Sequence, residues 1–125
     1  MTRVYISGPI SGTSDFMYRF EDAEKYLTGK GYSVINPVKI GASLPLDMTY
    51  EEIMEIDMLL LDDADAIYML LGWQTSVGAN REYGYALGKG KEIMKQEMTF
   101  YPLHRDIDHK DNNLDRYGQE GEQNE

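Results

Sequence analysis

The stretch from Ala64 to Leu71, ADAIYMLL, is a near-continuous apolar run of strand length. A strand with one wet face alternates apolar and polar residues, whereas a strand covered on both faces has no need to. The run therefore predicts a central parallel strand, and parallel neighbours are joined only through crossover segments. The chain supplies these on both sides. Arg3 to Ser7 reads as a first strand, and Ser14 to Leu27 carries Phe16, Phe20, Ala23 and Leu27 at helical spacing before Gly29 and Gly31. YSVINP is a second short strand stopped by Pro37, and Val38 to Met48 has no period and reads as a loop. Thr49 with Glu52 three residues later is the signature of a capped helix start. After the central run, Gly72-Trp73 leads into a helix over Val77 to Leu87, KEIM is a fourth strand, and TFYPL adds a short fifth.

This alternation predicts an α/β fold: a doubly wound, Rossmann- or flavodoxin-like parallel sheet of four to five strands with helices on both faces. Ligands of such sheets sit outside the carboxyl ends of the strands, here the loops after Ile6 and Leu71. The first of those loops, Ser7-Gly8-Pro9-Ile10-Ser11-Gly12, has glycines that let backbone N–H groups approach a ligand closely. The α/β domain is expected over residues 1–103. From His104 to Glu125 the chain is polar and acidic, with only Ile107, Leu114 and Tyr117 to bury, and reads as a tail that is disordered or docks on a neighbouring subunit.

Charge and composition narrow the classes of function. With 22 acidic against 12 basic residues in 125, the net charge is −10, which disfavours nucleic-acid backbones and anionic membranes as partners. A small molecule is the easier partner. The absence of cysteine removes disulfides, thiolate nucleophiles and cysteine-ligated metals, and the two histidines, both in the polar tail, leave little for a zinc site. No metal and no cofactor are expected. No apolar run approaches the ~18 residues of a membrane span, so the expected location is cytoplasmic, which is the host cytoplasm if the chain is phage-encoded.

Two carboxylates fall where an α/β helix should be apolar. On the helix from Thr49, Ile53, Ile56 and Leu60 form a stripe at i, i+3 and i+7, and Asp57 lies at i+4 of it. On the helix from Val77, Ala79, Tyr83 and Ala86 face the sheet, and Glu82 falls between the two alanines. An inward carboxylate costs free energy unless it is paired or has a task. Asp57 has the alternative of a stripe edge or a capping contact; Glu82 has that of a surface glutamate paired with Arg81 or Lys89. If both face one cavity, neighbouring acids push their pKa values apart, so that one stays ionised while the other holds a proton. Retaining glycosyl transfer divides its labour this way.

VYISGPISG at the first strand, EIDMLLLDDADAIYML in the middle and GWQTSVGANREYGYALGKGKEI after it together resemble the nucleoside 2-deoxyribosyltransferase-like superfamily. This group includes deoxynucleoside 5′-monophosphate N-glycosidases and short, often phage-borne relatives. The likeness runs over roughly residues 2 to 95. It implies that Glu82 is the nucleophile, Asp57 the second acid and Tyr5 the residue that orients the nucleophile. It places Gly8, Pro9, Ile10, Ser11 and Gly12 in the sugar- or phosphate-binding loop, with Ser76 holding a 5′-phosphate and Gly78 beside it. Trp73 and Tyr5 offer stacking surface to a base, and Trp73 has the alternative of a lid or interface residue. Where the monophosphate glycosidases have an arginine in the first loop this chain has Ser11, leaving Arg19 or Arg81 to take its place, or a substrate without phosphate.

The implied activity is cleavage or transfer of the N-glycosidic bond of a 2′-deoxynucleoside or its 5′-monophosphate through a glutamyl-glycosyl intermediate, as hydrolase or transferase. The alternative is a binding module of the same fold that sequesters a nucleotide without turnover. Relatives of this kind assemble as homodimers or larger homo-oligomers in which neighbouring subunits complete each site.

Overall fold

β1, Arg3–Ser7, is buried from Val4 onward and occupies an inner position in the sheet. The computed structural model describes residues 1–98; TFYPL and the tail from His104 lie outside the described residues. β1 is followed by α1 (Phe16–Gly29), β2 (Ser33–Ile35), α2 (Pro37–Gly41), α3 (Tyr50–Asp62), β3 (Ala66–Met69), a 3-10 turn (Trp73–Thr75), α4 (Val77–Gly88) and β4 (Glu92–Lys95). All neighbouring strands are parallel, in the order β2-β1-β3-β4. The fold is a doubly wound α/β sheet, as the ADAIYMLL run predicts.

Strand alternation divides the core in two. Val4 and Ile6 of β1 with Ala66, Tyr68 and Leu70 meet Phe20, Ala23 and Leu27 of α1 on one face. Tyr5 of β1 with Ile67 and Met69 meets Leu61 of α3 and Ala79 and Ala86 of α4 on the other. Phe20 and Leu27 are buried completely or nearly so, each contributing ~2 kcal/mol of apolar burial. β1 and β3 are neighbours whose onward connections run in opposite directions, to β2 and to β4. Their carboxyl ends therefore frame the crevice of the switch point.

Three local readings are revised. α1 begins at Phe16 rather than Ser14, with no side-chain cap at Asp15. The aperiodic segment after Pro37 is not all loop: Asn36 accepts hydrogen bonds from the N–H groups of Val38 and Lys39, Pro37 sits where its missing N–H costs nothing, and the short α2 follows. A five-residue helix is too short to show a period, so only its cap announces it. On α3 the buried residues are Met54 and Leu61, not Ile53, Ile56 and Leu60. The inward stripe is rotated by one residue, and Asp57, at i+3 from Met54, lies nearer its centre than the sequence implied. The capping box of Thr49 and Glu52 is present, with Glu52 N–H on Thr49 Oγ1 at 3.1 Å and Thr49 N–H on Glu52 Oε1 at 2.8 Å.

Candidate active site

The site begins with the two strand ends. A side chain at Gly8 would place its Cβ 2.7 Å from Leu70 Cβ, so the glycine lets β1 and β3 finish side by side. The close approach at Gly8 is thus to Leu70. Gly12, at φ 87°, turns the loop in the left-handed region that other residues avoid. Opposite this loop, Ser76 caps α4 by accepting from the Ala79 N–H at 3.1 Å, which fixes the rotation of a helix whose buried stripe is Ala79, Glu82 and Ala86.

Glu82 is only 6% exposed. Its two oxygens are held separately: Tyr5 donates its phenol to Oε2 at 2.7 Å and Ser7 its hydroxyl to Oε1 at 2.6 Å. Tyr5 and Ser7 are two apart on β1 and so point to the same face. The reading of Glu82 as a surface glutamate fails, because Arg81 turns outward to Glu51 at 3.2 Å and Lys89 reaches Asp62 at 3.7 Å. Burial pushes the Glu82 carboxyl up to about 7, with the hydroxyls of Ser7 and Tyr5 pulling the other way and Asp57 adding to the rise. Burial, reinforced by Glu82 and Asp57, keeps the Tyr5 phenol well above its ordinary value and therefore a neutral donor.

In front of Glu82 lies a cavity of about 720 Å³. Its walls include Ser7, Gly8, Ile10 and Ser11 from the first loop; Phe16 and Met17 from α1; and Pro37 and Val38 from α2. α3 adds Tyr50, Met54 and Asp57, and the start of α4 adds Ser76, Val77 and Gly78. Asp57 and Glu82 face the same space, and burial lifts Asp57 to about 6. Among the described residues, the lining holds two carboxylates and no lysine, arginine or histidine. Arg19 donates to the Leu71 carbonyl and Arg81 reaches Glu51, and neither is part of the cavity lining near Ser11.

Of the residues singled out from sequence, Glu82, Asp57, Gly8, Ile10, Ser11, Ser76 and Gly78 come together on the cavity wall. Tyr5 stands behind it, reaching the site through Glu82 alone, with no exposed ring for a base to stack on. Pro9, Gly12 and Trp73 do not line the cavity. Trp73 packs against Tyr83, ring centroids 4.5 Å apart, because the 3-10 turn directs it over α4. The aromatic residues of the wall are instead Phe16, Phe20 and Tyr50. Tyr50 is 52% exposed, with its hydroxyl against Gly78 and the Arg81 guanidinium 5.8 Å from its ring centroid. As the first residue of a capped helix, Tyr50 was placed by Thr49 in advance; what it faces depends on α4.

One protein family, described as a domain of unknown function and designated DUF4406, matches residues 2–95 of the chain. The chain belongs to the DUF4406 family. The DUF4406 region runs from just before β1 to the last residue of β4 and contains Tyr5, Ser7, Asp57 and Glu82. Comparison with curated proteins yields no match. Among the described residues of this DUF4406 domain, no helix is long and apolar enough to cross a membrane, and no group of three or more histidine, aspartate or glutamate side chains is placed to hold a metal ion.

Proposed function

We propose that this DUF4406 domain cleaves or transfers the N-glycosidic bond of a 2′-deoxynucleoside, with Glu82 as nucleophile and Asp57 as general acid and base. The observation that carries this reading is a buried carboxylate on a cavity wall, held by a hydroxyl on each oxygen, with a second carboxylate facing the same space. A purely structural glutamate has no need of a cavity, and a solvated one has no need of two buried donors. The resemblance of VYISGPISG, EIDMLLLDDADAIYML and GWQTSVGANREYGYALGKGKEI to the nucleoside 2-deoxyribosyltransferase-like superfamily supports the same two residues.

In the first step a Glu82 oxygen forms a bond to C1′ as the C1′–N bond breaks; the electron pair goes to the base nitrogen, which takes its proton from Asp57. In the second step Asp57, now a carboxylate, takes a proton from water or from a second base. The freed oxygen or nitrogen lone pair forms the new bond to C1′, and the ester bond to Glu82 breaks to restore its carboxylate. A 2′-deoxy sugar suits this chemistry, because without the electron-withdrawing 2′-hydroxyl the oxocarbenium-like transition state is easier to reach. The uncharged nucleoside is favoured over the 5′-monophosphate, since among the described residues the lining brings two acids and no basic side chain to meet a phosphate.

The deciding experiment is chromatographic: deoxynucleosides and their 5′-monophosphates are incubated with the protein, with and without a free second base, beside Glu82→Ala. Release of base, or formation of a new nucleoside, by the parent protein and not by the variant supports the reading. Nucleotide binding without turnover would replace it with a sequestering module. The proposal extends to a homo-oligomer in which a second copy closes the cavity mouth, where Ile10, Met17 and Val77 are exposed. A monomeric mass by light scattering at micromolar concentration counts against that part.

A further inference from the structure

Ser7 ends β1 and is 1% exposed, yet it is the one of the two hydroxyls on Glu82 that lies on the cavity wall. Tyr5 grips Oε2 from behind, out of reach of a ligand; Ser7 grips Oε1 at 2.6 Å from the side where a ligand sits. The sequence marked Tyr5 and passed over Ser7, which counted only as the start of a glycine-rich loop. We propose that Ser7 is a positioning residue: its hydroxyl fixes Oε1 and stabilises the charged form of Glu82, the part that a cation plays in other buried carboxylate sites. The kinetic side of this inference rests on the glycosyl-transfer reading, whereas its ionisation side does not.

The surroundings of Glu82 leave that part to Ser7. From β1 it meets the neutral phenol of Tyr5; from α3 it meets Asp57, whose charge opposes its own; on α4 its neighbour Arg81 is committed to Glu51. Burial raises the Glu82 carboxyl, and of the groups that oppose the rise Ser7 stands first, ahead of Tyr5 and Arg81. A hydrogen bond to a charged group outweighs one between neutral groups, so loss of the Ser7 donor falls on the ionised carboxylate. Ser7 also keeps both oxygens from rotating, which holds the carboxylate edge toward the cavity.

The test is a side-chain carboxyl titration by carbon-13 NMR on glutamate-labelled full-length protein, with Glu82→Gln to assign the signal. Ser7→Ala is expected to raise the Glu82 midpoint by about one pH unit, and Ser7→Thr, which keeps the hydroxyl, to hold it within about 0.3 unit of the parent. An unchanged midpoint in Ser7→Ala overturns the inference. If that variant does not fold, Ser7→Cys, of similar size and with a weaker donor, decides: an upward shift supports the inference and an unchanged midpoint overturns it. In turnover assays Glu82, with its midpoint above that of Asp57, sets the basic limb of kcat/KM: in Ser7→Ala that limb moves up and activity falls on the acid side, both returning in Ser7→Thr; an equal loss at every pH, including above both midpoints, overturns the positioning role. If the parent protein turns over no nucleoside, the glycosyl-transfer reading fails by itself, and the titration still decides what Ser7 does.

Discussion

Arg81 and Glu82 are adjacent in sequence and separate in the fold. Arg81 turns out to Glu51 on α3, N to O 3.2 Å, while Glu82 turns in to Tyr5 and Ser7 on β1. The exposed pair is worth little to stability. Its consequence lies in what it withholds: among the described residues the buried carboxylate has no ion-pair partner, and burial lifts it to about 7.

That lift should be visible in stability. Glu82 holds its proton more tightly in the folded chain, at about 7, than at the ordinary 4.5 of the unfolded one. Its charge therefore costs nothing below pH 4.5, destabilises progressively as pH rises toward 7, and costs most above it. Glu82→Gln removes the charge and is expected to stabilise the fold by on the order of 2 kcal/mol at pH 8, a gain that fades on acidification. Urea melts of both proteins at pH 5 and pH 8 check this; a gain that is larger at pH 5 would sink it.

The two carboxylates titrate as a pair. With Asp57 lifted to about 6 and Glu82 to about 7, the site holds one proton between those values. Most of that proton sits on Glu82, so a reaction that needs Glu82 ionised and Asp57 protonated runs through the minor arrangement, which still gives a bell-shaped kcat/KM profile, highest between about 6 and 7. Asp57→Asn is expected to lower kcat/KM by roughly 10² to 10⁴ and to remove one limb of the bell. A profile flat from pH 5 to pH 9 in the parent protein would be incompatible with this assignment.

The aromatic residues around the site should behave differently from one another. Trp73 lies on Tyr83 and away from the cavity, so Trp73→Phe leaves nucleoside affinity unchanged. Tyr50 stands in the wall, and Tyr50→Ala is expected to weaken binding about tenfold, a loss of ~1.4 kcal/mol, through lost contact area. Calorimetric titration with a deoxynucleoside compares them directly; equal effects would mean that the base does not rest on Tyr50.

Two backbone positions support the crevice from outside the chemistry. Gly8→Ala forces a methyl group against Leu70 at 2.7 Å and is expected to cost about 1–3 kcal/mol. Asn36→Ala removes the cap of α2 and the 3.1 Å hydrogen bond to Glu24, and is expected to cost about 1 kcal/mol. Thermal melts that match the parent protein would show that Leu70 yields without cost, or that α2 needs no cap.

The sequence by itself determined the sheet. A run such as ADAIYMLL, apolar on both faces, has few uses outside a parallel sheet, and the alternation with helical segments on either side of it leaves the doubly wound arrangement. It also placed Glu82 and Asp57 on inward stripes, because a carboxylate among alanines and leucines breaks the period that burial imposes. Rotation was less legible: the α3 stripe centres on Met54 and Leu61 because inward and half-inward positions on a mostly apolar helix look alike until a neighbour fills one side. The short α2 and the orientation of Trp73 escaped for the same reason, each being set by contacts too few or too distant to leave a period. Only the tertiary structure decided that Ser7 shares Glu82 with Tyr5, two residues lying 75 and 77 positions away from it in the chain. Hydrogen bonds across that separation leave no mark on local composition. They exist because β1 and α4 pack face to face, and a pleat that points every second side chain the same way delivers both hydroxyls to one carboxylate.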